Sequence, residues 1–288
     1  MRWTPGDRSE DLEDRRDDSS SSGIGGTGIG GIHLGIGGML IVLILSVVFK
    51  QNFFSLLSGG SATTGRATMS QPDPQQDAKE EPTVKFVSFV LDDTQRTWQQ
   101  ILSAQGVPYR HAKLVLFRDS IDSACGLAQT ASGPFYCPGD EKVYIDLGFY
   151  DELSRRFGAP GQFAQAYVLA HEIGHHIQKL TGIENKMRAA QQRDPSAANA
   201  LSVKLELQAD CFAGIWGHST EQRNILEAGD VDQGLAAAAA VGDDRLQKMS
   251  SGHVNPETFT HGSSAQRTQW FQRGFTSGDF AQCNTFAE

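Results

Sequence analysis

Apolar and polar positions divide the chain into four stretches. Residues 1–31 are charged from Arg8 to Asp18, then run through Ser19–Ser22 into glycines. Such a composition buries too little apolar surface to offset ordering entropy, which predicts a disordered N-terminal tail. From Ile32 to Phe49 there is no Asp, Glu, Lys or Arg, and Ile, Leu, Val and Gly dominate. Phe53, Phe54, Leu56 and Leu57 extend that run, so residues 32–57 read as a single transmembrane helix, which takes about 20 apolar residues. The flanks offer no core to bury it. A long polar lead-in, with no small-x-small site close behind, favours an uncleaved anchor over a signal peptide. Residues 58–83, rich in Ser, Gly, Thr, Gln, Pro and Asp, read as a linker. Residues 84–288 remain as the stretch able to fold as a domain of ordinary size.

Within that domain, Phe86, Phe89, Val90, Trp98, Ile101 and Leu102 recur at helical spacing until Gly106 and Pro108. Leu114–Phe117 and Val143–Leu147 read as short strands; in the second, Val143, Ile145 and Leu147 alternate with Tyr144 and Asp146. Residues 125–140 between them look like a loop. Helices are expected over 149–157, 162–180, 197–215, 231–248 and 264–275. The class is therefore α+β, mostly helical with a small early sheet.

Charge and cysteine usage narrow the setting. The net charge of −9 argues against general nucleic-acid binding, which wants a basic surface. Arg2, Arg8, Arg15 and Arg16 precede the apolar segment and only Lys50 closely follows it, a weak bias placing the N-terminus inside and the domain outside. Four cysteines fit an oxidising compartment. A Cys125–Cys137 bridge would close the Gly/Pro-rich loop, and Cys211–Cys283 would tie the C-terminus to a central helix. Three pairings are formally open, as is a reduced, buried Cys211.

The chemistry concentrates at His171-Glu172-Ile-Gly-His175-His176. Positions i and i+4 share a helix face, so His171 and His175 can hold one ion, with Glu172 offset beside it as a base for a water. Residues 164–170 are almost wholly apolar. The histidines therefore sit in a buried helix, where a metal would satisfy them. His176 faces elsewhere and reads as a packed or exposed histidine rather than a ligand. A catalytic zinc wants a third protein ligand and one open position. Glu206 supplies the ligand. Asp210, one turn later, is placed to accept the far N–H of a ligand histidine, most naturally His171. An additional group for the developing oxyanion is sought near the C-terminus, where His253 and His261 compete.

These motifs resemble the glutamate-ligand branch of zinc peptidases, and are similar to the membrane peptidases that include the prenyl-protein protease and the bacterial heat-shock membrane protease. Those carry a Glu-x-x-Ala-Asp helix and a later His-Pro-Pro-x-x-x-Arg. Here His261 and Arg267 keep the separation, while Gly262 and Ser263 replace the prolines, so a different loop geometry is expected. More closely, Gly133-Pro-Phe-Tyr-Cys-Pro, Val143-Tyr-Ile-Asp-Leu, the histidine helix, Gln208-Ala-Asp-Cys and His261-Gly-Ser-Ser-x-Gln-Arg-x-x-Trp-Phe resemble the bacterial family described as "putative neutral zinc metallopeptidase". The resemblance implies a zincin-like domain with one Zn2+ per chain. It implies His171, His175 and Glu206 as ligands, Glu172 and His261 as catalytic groups, and Asp210 and Arg267 as their support. It also implies a single-pass membrane protein with an external peptidase domain acting on a peptide or protein. A hydrolase of another amide bond, such as one in the cell wall, and a non-catalytic membrane-anchored zinc scaffold are the competing expectations. The strand at 143–147 is expected to take an extended peptide by edge pairing.

Overall fold

The computed structural model describes residues 1–18, 74–129 and 133–287. In chain order these form β1 (Leu12–Asp14), α1 (Pro74–Ala104), β2 (Lys113–Phe117), β3 (Ser120–Ser123), β4 (Gly126–Gln129), β5 (Phe135–Cys137) and β6 (Lys142–Asp146). Helices α2 (Gly148–Arg155), α3 (Gln162–Leu180), α4 (Ile183–Arg193), α5 (Ala198–Gln222), α6 (Asp230–Ala240), α7 (Asp243–Ser251) and α8 (Ser264–Ser277) follow. The mostly helical α+β expectation holds. The proposed span at 32–57 lies outside the described residues, and no helix among those described is long and apolar enough to cross a membrane.

A four-stranded sheet has the order β1-β2-β6-β5, with only β5 antiparallel to its neighbour. The run Leu114-Val-Leu-Phe117 is apolar throughout because both sheet faces are covered. Leu114 and Leu116, with Val143 and Ile145, join the main core under the helices. Val115, Phe117 and Tyr144 join a smaller cluster with Ile121 and Ala128 from the β3–β4 hairpin. Helix α3 is central: it packs on α1, α4, α5, α6 and the β5–β6 side of the sheet. Phe163 of α3 stacks on Trp216 of α5 at 5.7 Å between ring centroids, and Trp98 of α1 meets Phe212 at 5.1 Å. Burying such aromatics stabilises the domain by roughly 1.5–3 kcal/mol each.

Several expectations are corrected. Residues 1–18 are not a loose tail. Leu12–Asp14 pair in parallel with Leu114–Leu116, Trp3 stacks on Phe89, and Arg16 is buried. Most of the charges that suggested disorder are instead engaged in ion pairs. Residues 74–83, assigned to the linker, open α1 despite Pro82, because Asp77 and Glu80 are pinned by Arg118, and Glu80 also by Arg16. The 125–140 stretch contains β4 and β5, too short for alternation to show. The helix expected over 231–248 breaks after Ala240 and restarts as α7, and α4 escaped notice altogether. Strand β6 is interior, flanked by β2 and β5, so the edge beside α3 belongs to β5. Both disulfides, Cys125–Cys137 and Cys211–Cys283, pair as expected.

Candidate metal centre

Helix α3 is buried along nearly its whole length, which presents His171, Glu172 and His175 at an interior junction rather than on a surface. What lets α5 reach them is Gly174. A Cβ at that position would lie 3.0 Å from both the Cα and the carbonyl oxygen of Ala209, closer than packed atoms tolerate. Glycine lets the two helices approach at this point. Glu206 and Asp210, on either side of Ala209, are thereby brought against the histidines.

The three expected ligands converge. One donor atom from each of His171, His175 and Glu206 lies within 4.8 Å of the others. His171 Nε2 is 3.1 Å from Glu206 Oε2, and His175 Nε2 is 3.5 Å from Glu206 Oε1. Tetrahedral bonds of 2.0–2.1 Å separate donors by about 3.3 Å, so this spacing suits zinc. Two imidazoles and a carboxylate are also the donor set zinc accepts, and with three protein ligands a fourth position stays open. Burial works against charge on all three groups, yet mutual attraction wins. Asp210 and Glu206 hold His171 at about 10, His175 is raised by Glu206, and His175 and His171 keep Glu206 well below the usual carboxylate range. A divalent cation held there would take the place of the protons in that arrangement.

Glu172 is buried beside them, and burial pushes its pKa up. Its carboxylate has no hydrogen-bond partner among the described residues, so it is poised to take a proton from a group that enters the site.

Behind the donors stands a fully enclosed polar layer. His171 Nδ1 donates to Asp210 Oδ1 at 2.8 Å, as the i, i+4 spacing of Glu206 and Asp210 implied. Arg267 of α8 forks onto Asp210, with Nε to Oδ2 at 2.8 Å and Nη2 to Oδ1 at 2.9 Å, and Nη2 also donates to the Tyr167 hydroxyl. Tyr167 in turn donates to Asp210. It precedes His171 by four residues on the same face of α3, a spacing that could have revealed it. His175 Nδ1 donates to Gln178 Oε1 at 2.9 Å. Gln178 spends its amide protons on Leu205 O at 2.7 Å and Gln208 Oε1 at 3.1 Å. Gln208 closes the series on the carbonyl of Cys283 at 2.9 Å. Neither glutamine was legible as support, since polar residues in an apolar helix carry no mark of their partner. Of the two readings of His176, packed or exposed, the structure shows the packed one: it accepts from Tyr136 of β5 and donates to the Arg110 carbonyl.

The two C-terminal histidines sit in different surroundings. His253 is exposed and bonded locally to Ser251. His261 lies close enough to Glu206 for their charges to interact. Its backbone N–H and those of Thr260 and Gly262 all donate to Asp243 Oδ2, at 2.6, 2.7 and 2.9 Å, while its Nδ1 faces Asp243 Oδ1 at 3.3 Å. Burial disfavours a charged ring, but Asp243 and Glu206 outweigh it and raise the pKa of His261. The missing prolines now have a reason. Gly262 adopts φ +93° and donates its N–H, neither of which proline can do. Ser263 caps α8 in a reciprocal box with Gln266, which orients Arg267 inward.

The family model for "Putative neutral zinc metallopeptidase" matches residues 1–286. The chain belongs to this family. It is 46% identical over 291 residues to the protein named "Uncharacterized protein YpfJ" of Escherichia coli K12, covering all of this chain and 99% of that one. It is 42% identical over 201 residues to "Uncharacterized protein Rv2575" of Mycobacterium tuberculosis H37Rv and to "Uncharacterized protein Mb2605" of Mycobacterium bovis, covering 66% of each partner in the comparison. No solved structure matches the chain significantly.

Proposed function

We propose that this family member is a zinc-dependent endopeptidase. The observation that carries the reading is the convergence of His171, His175 and Glu206 on one point, with the Glu172 carboxylate, which has no hydrogen-bond partner among the described residues, next to it. When bound there, zinc would lower the pKa of a water toward about 7 and polarise a carbonyl. The remaining work falls to the chain's own groups. Glu172, its proton affinity raised by burial, takes the proton of the attacking water and returns it to the leaving amine. His261, whose proton affinity Asp243 and Glu206 raise against the effect of burial, offers a donor to the oxygen that gains charge. Asp210, locked by Arg267 and Tyr167, keeps Nε2 of His171 turned toward the metal. The outer edge of β5, the terminal strand of the sheet beside α3, is suited to pair with an extended peptide and align it with Glu172. The two disulfides support a working place in an oxidising compartment.

The test is cleavage of an unbiased peptide library by the purified full chain. Activity is expected to disappear with a chelator and return with stoichiometric zinc. Zinc-independent cleavage, or stoichiometric zinc binding with no peptide bond cut while isolated cell-wall amides are hydrolysed, would overturn the peptidase reading.

A further inference from the structure

The arginines of the N-terminal segment are the residues on which an inside orientation for that segment would rest. The contacts give them another use. Arg16, 3% exposed at its side chain, pairs with Asp14 and reaches Glu80 of α1 at 2.7 Å. Arg8 binds Asp14 and Glu81, Arg15 binds Asp18, and Arg2 lies against Glu227 beyond α5. Two of the acidic residues between them are engaged with the domain as well. Asp11 takes Lys113 Nζ at 2.6 Å and the Gln95 amide at 3.0 Å, and Glu13 takes Lys142 of β6 at 2.7 Å. Beneath the charges, Trp3 packs on Phe86 and Phe89, and β1 completes the sheet through three residue pairs with β2. Each surface pair contributes little. Together with the strand pairing and the buried Arg16, they make the first eighteen residues a built part of the domain, bound to α1, β2 and β6 at once.

Such contacts form only between segments in one compartment. A chain that crossed a bilayer once between Asp18 and Pro74 would hold β1 and β2 apart by about 30 Å of hydrocarbon. It would also strand Arg16, Asp11 and Trp3 without their partners. We infer that residues 1–18 and the domain of residues 74–287 lie on the same side of any membrane this protein meets, with the N-terminal segment serving as the sheet's own edge strand. The arginine excess ahead of the apolar run is a docking device and carries no orientation.

The experiment uses the full chain expressed in bacterial cells. Among the described residues all cysteines are paired, so Asp7→Cys and Glu221→Cys, both at exposed positions, each introduce one reactive thiol. Intact cells are treated with a membrane-impermeant maleimide, and detergent-lysed cells serve as the control in which both sites react. The two variants are expected to behave alike in intact cells, both labelled or both protected. Labelling of one with protection of the other overturns the inference. A second arm places cysteines at Arg8 and Glu81 together. A short bismaleimide is expected to join them within one chain, read by mass spectrometry of the linked peptides. Reaction of both thiols without an intrachain link would equally overturn it.

Discussion

Asp210 receives the Nδ1 proton of His171 at 2.8 Å while the same carboxylate is forked by Arg267. One buried anion thus orients a candidate metal ligand and neutralises a buried cation. Asp210→Asn is expected to weaken zinc binding by roughly 10–100-fold, as loss of such support does. It also leaves Arg267 without its counter-charge, a defect of about 3–5 kcal/mol for a buried pair. Chelator competition reads the first effect and thermal melting of the metal-free protein the second. A variant unchanged in both would remove Asp210 from the site.

Glu172 is assigned proton transfer and no bond to the metal. Glu172→Gln should keep stoichiometric zinc by elemental analysis and lose activity by about 10²–10⁴-fold in kcat, the usual contribution of a positioned acid–base group. Glu206→Ala should do the reverse and lose the metal first.

The sequence carried this site well because its information is local. His171, Glu172 and His175 lie within five residues, and Glu206 and Asp210 repeat the same i, i+4 logic on a second apolar helix. That two such helices meet at Gly174 and Ala209 is a fact of packing, readable only in three dimensions. The supporting groups Gln178, Gln208 and Asp243 reach partners 30 to 75 residues away, or capture backbone amides, and so leave no periodic trace. The N-terminal segment misled for a related reason. Its composition is that of a tail, and only pairing with α1, β2 and β6 gives its charges and Leu12 a place to go.

Gln178 is the means by which the C-terminal disulfide reaches His175, through Gln208 and the carbonyl of Cys283. Gln178→Met, similar in volume but lacking acceptor and donor, should release zinc faster, with affinity lower by about 10-fold. Gln208→Met leaves the acceptor on His175 and should have a smaller effect. Stopped-flow chelator chase measures both. Equal release rates from wild type and Gln178→Met would leave His175 without a positioning partner.

Metal and protons compete for the same nitrogens, which fixes two opposite pH dependences. In the metal-free protein His171 is held at about 10, above its ordinary 6.5. A raised pKa means that the folded state binds the proton more tightly. That stabilisation is complete below about 6.5 and is lost as pH rises through 10. Zinc needs the neutral ring, so its apparent affinity should climb across the same window while the stability contributed by His171 in the metal-free fold declines. Parallel titrations of zinc affinity and of metal-free melting temperature between pH 6.5 and 10 check both signs. Trends running in the same direction would show that His171 is not where protons and zinc compete.

Arg16 tests the standing of the N-terminal segment within the fold. Its guanidinium is buried between Asp14 and Glu80, and burial, though it opposes the charge, is outweighed by those two carboxylates. Arg16→Met keeps most of the volume and leaves the two carboxylates, each about one-fifth exposed, to face one another with some help from water. Because that solvent access softens the penalty, the expected loss is about 1–3 kcal/mol rather than the full cost of an enclosed pair. It should appear as a lower melting temperature with zinc content unchanged, since the segment's contacts to α1 and β2 lie away from His171, His175 and Glu206. Faster amide exchange in β1, and in β2 where Leu114–Leu116 lose their partner strand, should accompany it. A melting temperature equal to wild type, with β2 protection intact, would show that the first eighteen residues rest on the domain without supporting it.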